Sequence, residues 1–134
     1  MTIEALSILI YALLLFVVVA TQATHAGITA GTAFGFSNRN GPQPGLGPFG
    51  RRVDRTLANL KEGAIIYLPL AVMAVALEIS NTWTVVAAVT TIISRMLYVP
   101  IFFSGIPVLR TLIWAPSFVA IPIMAWGILA GLGG

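Results

Sequence analysis

A polar stripe with the spacing of one helix face stands out in an otherwise apolar chain. Arg52, Arg55, Asn59 and Glu62 are separated by three, four and three residues. At roughly 100° per residue, they fall within an arc of about 80° on one side of a helix. One carboxylate among guanidinium groups predicts a site for a small zwitterion that carries excess negative charge.

A second stripe follows later in the chain. Arg95, Tyr98 and Phe102 are three and four residues apart, and Arg110 comes shortly after them. If both stripes face one another, they form a ligand site. Two other interpretations remain open: a structural ion-pair network, or arginines that only set membrane topology and contact lipid headgroups.

The composition predicts that these helices cross a membrane. Of 134 residues, 58% are hydrophobic and 8% are charged, whereas about a quarter of a soluble domain is charged. Lipid must therefore cover most of the surface. Charged groups at this depth cost a few kcal/mol and usually face the bundle interior, a partner or a watery cavity. With no cysteine, one histidine and few basic residues, we expect neither a metal site nor a nucleic-acid partner.

Four apolar runs predict an all-α membrane protein with one domain over residues 1–134. The predicted spans are about 3–24, 56–78, 82–103 and 107–132, with a cytoplasmic loop over 25–55. Gly27, Gly31 and Gly35 lie four apart and would suit close helix contact if the first helix continued. The repeated Gly and Pro of residues 41–50 favour the loop.

Charge around the spans predicts their orientation. The first run has no Lys or Arg before it and carries Glu4, so we expect a retained helix and not a signal peptide. Basic residues from Arg39 to Arg55 follow that run, which predicts a cytoplasmic first loop. Glu4 and Glu78 then fall on the opposite side. We expect a multi-pass protein of a bacterial inner membrane with both termini outside the cytoplasm.

Two segments resemble a known family. Arg52-Val-Asp-Arg55-Thr-Leu-Ala-Asn59-Leu-Lys-Glu62 resembles the R-x-x-R-[AT]-x-x-N-x-x-E signature of the MAPEG family, the membrane-associated proteins in eicosanoid and glutathione metabolism. Arg95-Met-Leu-Tyr98 resembles the R-x-x-Y near the end of its third helix. The resemblance implies a four-transmembrane-helix bundle that assembles as a homotrimer. Glutathione, as co-substrate, would bind between protomers near the cytoplasmic face.

The resemblance also implies a role for each matched residue. The implied glutathione-binding residues are Arg52, Arg55, Asn59, Glu62, Arg95 and Tyr98. Glu62 would take the ammonium group, while Arg52 and Arg95 would support the site or bind carboxylate. Arg110 would be the catalytic, thiol-activating residue. Gly63 stands where the family often has an aromatic residue, and Phe102 stands where it has a second tyrosine.

These features together predict a function. A thiol with a pKa of about 8.5 is mostly protonated at neutral pH, and a nearby guanidinium favours the reactive thiolate. We predict a membrane-bound glutathione-dependent transferase or peroxidase that acts on lipophilic electrophiles or lipid hydroperoxides. Its partners would be membrane lipids, further copies of itself and a lipophilic substrate. The alternatives are a non-catalytic membrane scaffold and a small channel or transporter, although no inverted repeat supports the latter.

Overall fold

Four long α-helices make up most of the protein in the computed structural model, which describes residues 1–38 and 45–134. They are α1 (Ile3–Ala30), α3 (Gly47–Ala76), α4 (Thr82–Ser104) and α5 (Pro107–Leu132), and the single turn α2 (Thr32–Gly35) follows α1. No strand occurs in the described residues. Each long helix has the length and apolar composition to cross a membrane. The predicted all-α architecture with four such helices is confirmed.

The first two long helices extend beyond the apolar runs that predicted them. Helix α1 continues past residue 24 to Ala30, and α3 begins at Gly47 instead of near residue 56. Both ends of the segment predicted as a loop over 25–55 are therefore helical. Part of that loop, residues 39–44 with Arg39, lies outside the described residues. Where the bilayer begins along each helix stays a prediction.

Packing between the extended ends explains why they are helical. The His25 ring lies edge-on to the Phe49 ring at 5.2 Å between centroids. Its Nε2 atom is 2.9 Å from the carbonyl oxygen of Leu46. Pro48 fits the first turn of α3, where its missing N–H is not needed. A glycine inside a helix costs only about 1 kcal/mol, so Gly27 does not stop α1.

Small side chains allow the helices to approach closely. The fully buried positions include Ala71 and Ala74 on α3, Ala87 and Ala88 on α4, and Ala120 on α5. In lipid, where apolar burial drives helix association weakly, such close van der Waals packing is a main source of stability. The most extensive contact joins the antiparallel pair α4 and α5.

One end of the bundle is closed by a buried polar cluster. Glu4 is 1% exposed, and its Oε1 atom accepts a hydrogen bond of 2.6 Å from the Thr84 hydroxyl. Nearby, the hydroxyl groups of Ser7 and Tyr67 are hydrogen-bonded at 2.6 Å. These contacts tie α1 to α4 and to α3. The starts of α3 and α5 and the end of α4 therefore lie at the opposite end of the bundle.

We expect Gly127→Ala to destabilise the pair α4–α5. A Cβ at Gly127 would lie 2.9 Å from the Thr84 backbone nitrogen and 3.0 Å from Trp83 Cβ, so the helices would have to separate. Overpacking of this kind costs about 1–3 kcal/mol. Thermal unfolding in detergent measures the effect. Gly133→Ala is the control, because its Cβ would make only ordinary contacts, the nearest at 3.7 Å; equal unfolding temperatures for both variants would contradict the packing argument.

Candidate functional site

An open cleft of about 490 Å³ lies among α3, α4 and α5, close to the turn between α4 and α5. This volume is within the range of about 300–1,000 Å³ that small-molecule sites occupy. The lining residues of each helix are either adjacent or three to four positions apart, which places them on one face of each of the three helices. The lining residues are Arg55, Ala58, Asn59, Glu62, Tyr98, Phe102, Arg110, Thr111 and Trp114.

The α3 side of the cleft carries both signs of charge. Arg55 and Glu62 are exposed in this chain. In the part of the chain that the structure describes, neither side chain makes a salt bridge or a hydrogen bond. The ion-pair network that offered an alternative interpretation is therefore not formed between these two groups. Among the described residues that line the cleft, Glu62 is the only acidic one.

Behind this wall lies the one deeply buried guanidinium among the described residues, that of Arg95. The side chain is 3% exposed, and Nη1 donates a hydrogen bond of 2.8 Å to Asn59 Oδ1. Its Cζ atom lies 5.8 Å from the ring centroids of both Tyr11 and Tyr98. The Nε atom is buried without a hydrogen-bond partner among the described residues. Because Asn59 uses its carbonyl oxygen on Arg95, its NH₂ group is left to donate to a ligand.

Gly63 provides the space that the Arg95 side chain occupies. A Cβ at this position would lie 2.6 Å from the Arg95 terminal nitrogen and 2.6 Å from the Tyr11 hydroxyl oxygen. The Tyr11 hydroxyl donates to the Leu60 carbonyl at 2.9 Å, so it is fixed as well. Only glycine fits here without displacing one of these groups. The departure at Gly63 thus has a packing reason.

The opposite wall combines a cation with aromatic rings. Arg110 is half-buried, and its Cζ atom lies 5.1 Å from the Phe102 ring centroid. The Phe102 ring in turn lies 5.4 Å from that of Tyr98. A guanidinium over an aromatic face is attracted by the ring quadrupole. Phe102, which replaces the expected tyrosine, therefore holds Arg110 through its ring and not through a hydroxyl group.

A second, smaller pocket of about 210 Å³ adjoins the cleft. Arg52 lines this pocket, and its Nε atom donates a hydrogen bond of 3.0 Å to the Phe103 carbonyl. Its guanidinium also lies 6.0 Å from the Phe49 ring centroid. Arg55 and Arg110 line both cavities. The two spaces therefore share a basic wall.

The sequence model of the MAPEG family matches residues 2–130 of the chain. The chain belongs to the MAPEG family. The comparisons with curated proteins and with solved structures gave no match. With four helices that can cross a bilayer, this MAPEG protein is an integral, multi-pass membrane protein of the type found in eicosanoid and glutathione metabolism.

The residues predicted for the site divide among three places. The cleft itself is lined by Arg55, Asn59, Glu62, Tyr98 and Arg110. Arg95 lies one layer behind it, and Arg52 lines the smaller pocket. The role of each residue stays a prediction. No three His, Asp or Glu side chains within residues 1–38 and 45–134 are grouped as metal ligands would be.

Sequence reasoning missed part of the α5 wall. Trp114 and Thr111 line the cleft beside Arg110. Trp114 lies four residues after Arg110, which is one helical turn, so the spacing alone carried a signal for it. Ala58 on α3 was missed too, and its small apolar side chain carries no such signal.

We expect Gly63→Ala to displace Arg95 and to lower stability by about 1–3 kcal/mol, as overpacking does. The loss should appear as a lower unfolding temperature in detergent. Gly27→Ala is the matched control, because this helical glycine has nothing within 4 Å of an added Cβ. An unfolding temperature in Gly63→Ala as high as in Gly27→Ala would contradict the proposed crowding.

Proposed function

We propose that this protein is a glutathione-dependent transferase or peroxidase that acts on lipophilic electrophiles or lipid hydroperoxides. The observation that carries the proposal is the cleft itself. One carboxylate, two guanidinium groups and an amide with free donors line a single open volume of ligand size. In the described part of the chain, the charges of Arg55, Glu62 and Arg110 have no counterion.

The charges of the cleft are complementary in sign to those of glutathione. The tripeptide carries one ammonium and two carboxylates, and a thiolate adds a further negative charge. Glu62 is suited to the ammonium group, and Arg55 to a carboxylate, because charge-assisted hydrogen bonds are the strong ones. The Asn59 NH₂ group, oriented by Arg95, would donate to a carbonyl or carboxylate oxygen. Arg95 itself would add favourable positive potential from behind.

Arg110 is the group we assign to the thiol. A guanidinium in a partly dehydrated site favours the thiolate, and the displaced proton leaves to water. In conjugation, the thiolate sulfur forms a bond to the electrophilic carbon, and the electron pair of the broken bond goes to the leaving atom. In peroxide reduction, two thiols are oxidised to a disulfide while the hydroperoxide is reduced to an alcohol and water.

The membrane would supply the second substrate. Lipophilic electrophiles concentrate in the bilayer, and the cleft is bordered by α5, whose Val108 and Leu112 side chains are exposed. Trp114, which lines the cleft and stacks on Phe118 at 5.1 Å between ring centroids, offers an apolar surface between lipid and thiol. Glutathione would arrive from water at the same end.

We also propose a homotrimer whose cleft faces the cytoplasm. In a single chain Arg55 and Glu62 are exposed, and a neighbouring copy would cover the open side of the cleft and shield these charges. The orientation is supported by charge: Arg51 lies at the cleft end of the bundle, whereas Glu78 lies at the other end. By the positive-inside rule, the end rich in arginine faces the cytoplasm.

Glutathione should raise the unfolding temperature of the purified protein, and Glu62→Gln should weaken this effect. The loss of a charge-assisted hydrogen bond to the ammonium group predicts a dissociation constant about ten- to a hundredfold higher. Ligand-dependent thermal unfolding in detergent gives both values. Glu78→Gln, an exposed carboxylate at the other end, is the matched control. An absence of stabilisation by any thiol would contradict the proposal and favour the scaffold.

Arg110→Gln should lower the rate of conjugation more than the affinity for glutathione. Without the guanidinium, the thiolate fraction falls by about tenfold or more at neutral pH, and the midpoint of the pH–rate profile moves upward. Steady-state kinetics with a lipophilic electrophile measures kcat, KM and this midpoint. Arg51→Gln, which removes the same charge outside the cleft, serves as the control. Unchanged kinetics and pH profile in Arg110→Gln would exclude the assigned role.

A further inference from the structure

The smaller pocket carries a concentration of positive charge that glutathione bound in the cleft would not account for. Three guanidinium groups, those of Arg52, Arg55 and Arg110, line it together with Phe102 and the residues of the α4–α5 turn. No acidic residue is among the described residues that line it. Three positive charges that have no counterion among residues 1–38 and 45–134 predict an anionic ligand group in this cavity.

The guanidinium of Arg52 is already held in position for a ligand. Nε is used on the Phe103 carbonyl at 3.0 Å, and the group packs beside Gly105, where a Cβ would lie 3.5 Å from Nη1. Gly105 has φ of 83°, a left-handed conformation that glycine adopts without strain. The terminal nitrogens of Arg52 have no partner among the described residues. Such a fixed fork suits phosphate oxygens.

The depth of this pocket in the bundle corresponds to the headgroup layer. Helix α4 has 23 residues, which is about 35 Å at 1.5 Å per residue, against a hydrocarbon thickness of about 30 Å. The turn that follows it, Gly105 and Ile106, joins two membrane-length helices directly. It must therefore lie level with the lipid headgroups. The exposed side chains of Ile106, Val108 and Leu109 lie beside it, where acyl chains begin.

The volume of the pocket also fits a headgroup. At about 210 Å³, it is smaller than the roughly 300–1,000 Å³ of sites that enclose a whole small molecule. A phosphate group can enter while its acyl chains remain in the bilayer. A zwitterionic lipid would bring its own ammonium into a site with three guanidinium groups, so a lipid with net negative charge is favoured.

We propose that the pocket formed by Arg52, Arg55 and Arg110 binds the phosphate of an anionic phospholipid. Arg55 and Arg110 also line the cleft. A lipid phosphate bound in the smaller pocket therefore competes with a cleft ligand for these two guanidinium groups. Anionic lipid therefore weakens the binding of an anionic thiol peptide. This second consequence rests on the proposed function, whereas the lipid site itself does not.

The lipid site is tested on the full chain purified in detergent, by thermal unfolding with added phosphatidylglycerol or phosphatidylcholine. Phosphatidylglycerol should raise the unfolding temperature more than phosphatidylcholine. Arg52→Gln and Arg55→Gln should each weaken the apparent lipid affinity by about ten- to a hundredfold, the loss expected for one charge-assisted hydrogen bond. Arg55 has no partner among the described residues, so its replacement removes no hydrogen bond or ion pair within the described chain. Arg51→Gln, the neighbouring exposed arginine, should retain the wild-type response.

Three results would overturn the lipid site. Equal stabilisation by the two lipids would remove the preference for net negative charge. A loss in Arg51→Gln as large as in Arg52→Gln would assign the effect to general surface charge. Stabilisation by inorganic phosphate equal to that by phosphatidylglycerol would make the ligand a free anion. None of these readouts depends on glutathione, so failure of the proposed enzyme activity is distinguished from failure of this site.

Discussion

The buried charge of Arg95 is the constraint on which the site end of the bundle depends. A guanidinium removed from water costs several kcal/mol unless other groups replace its hydration. Among the described residues no carboxylate pairs with it; the Asn59 carbonyl and the ring faces of Tyr11 and Tyr98 surround it instead. The contacts that surround the Arg95 guanidinium therefore fix α1, α3 and α4 relative to one another. The same contacts orient the Asn59 amide at the cleft wall, so packing and ligand chemistry are linked through one side chain.

The two ends of the bundle differ in whether their charged side chains are buried or exposed. At the end that carries Glu4, the carboxylate is 1% exposed; its Oε1 accepts a hydrogen bond from Thr84, and its Oε2 is buried without a partner among the described residues. At the other end, Arg55 and Glu62 remain exposed and without counterions among the described residues. Unpaired charges become costly as they move from the interface towards the bilayer centre, and a ligand, a lipid or a neighbouring copy would neutralise those of Arg55 and Glu62. This asymmetry separates a structural end from an end suited to binding.

Helix periodicity made most of the cleft predictable. Arg55, Asn59 and Glu62 share a face because their spacing of four and three residues matches one helix turn, whatever the helix packs against. Arg52 continues the same stripe, yet its side chain reaches the Phe103 carbonyl and the smaller pocket. Spacing gives the direction in which a residue leaves its helix, but not what a long arginine side chain meets several ångströms away. Gly63 illustrates the same limit. A glycine is required there because side chains from two other helices occupy the space of a Cβ atom.

The sequence by itself determined that the protein lies in a membrane, that it has four membrane-capable helices and that it belongs to its family. The length of the apolar runs, the small number of charges and the spacing within each motif are all properties of residues close together in the chain. The tertiary structure alone decided how far α1 and α3 extend, since the contact between His25 and Phe49 stabilises ends that composition favoured as loop. It also decided that Arg95 lies behind the cleft and that Arg110 borders two cavities. These outcomes depend on contacts between residues far apart in the chain, which only the packed bundle brings together.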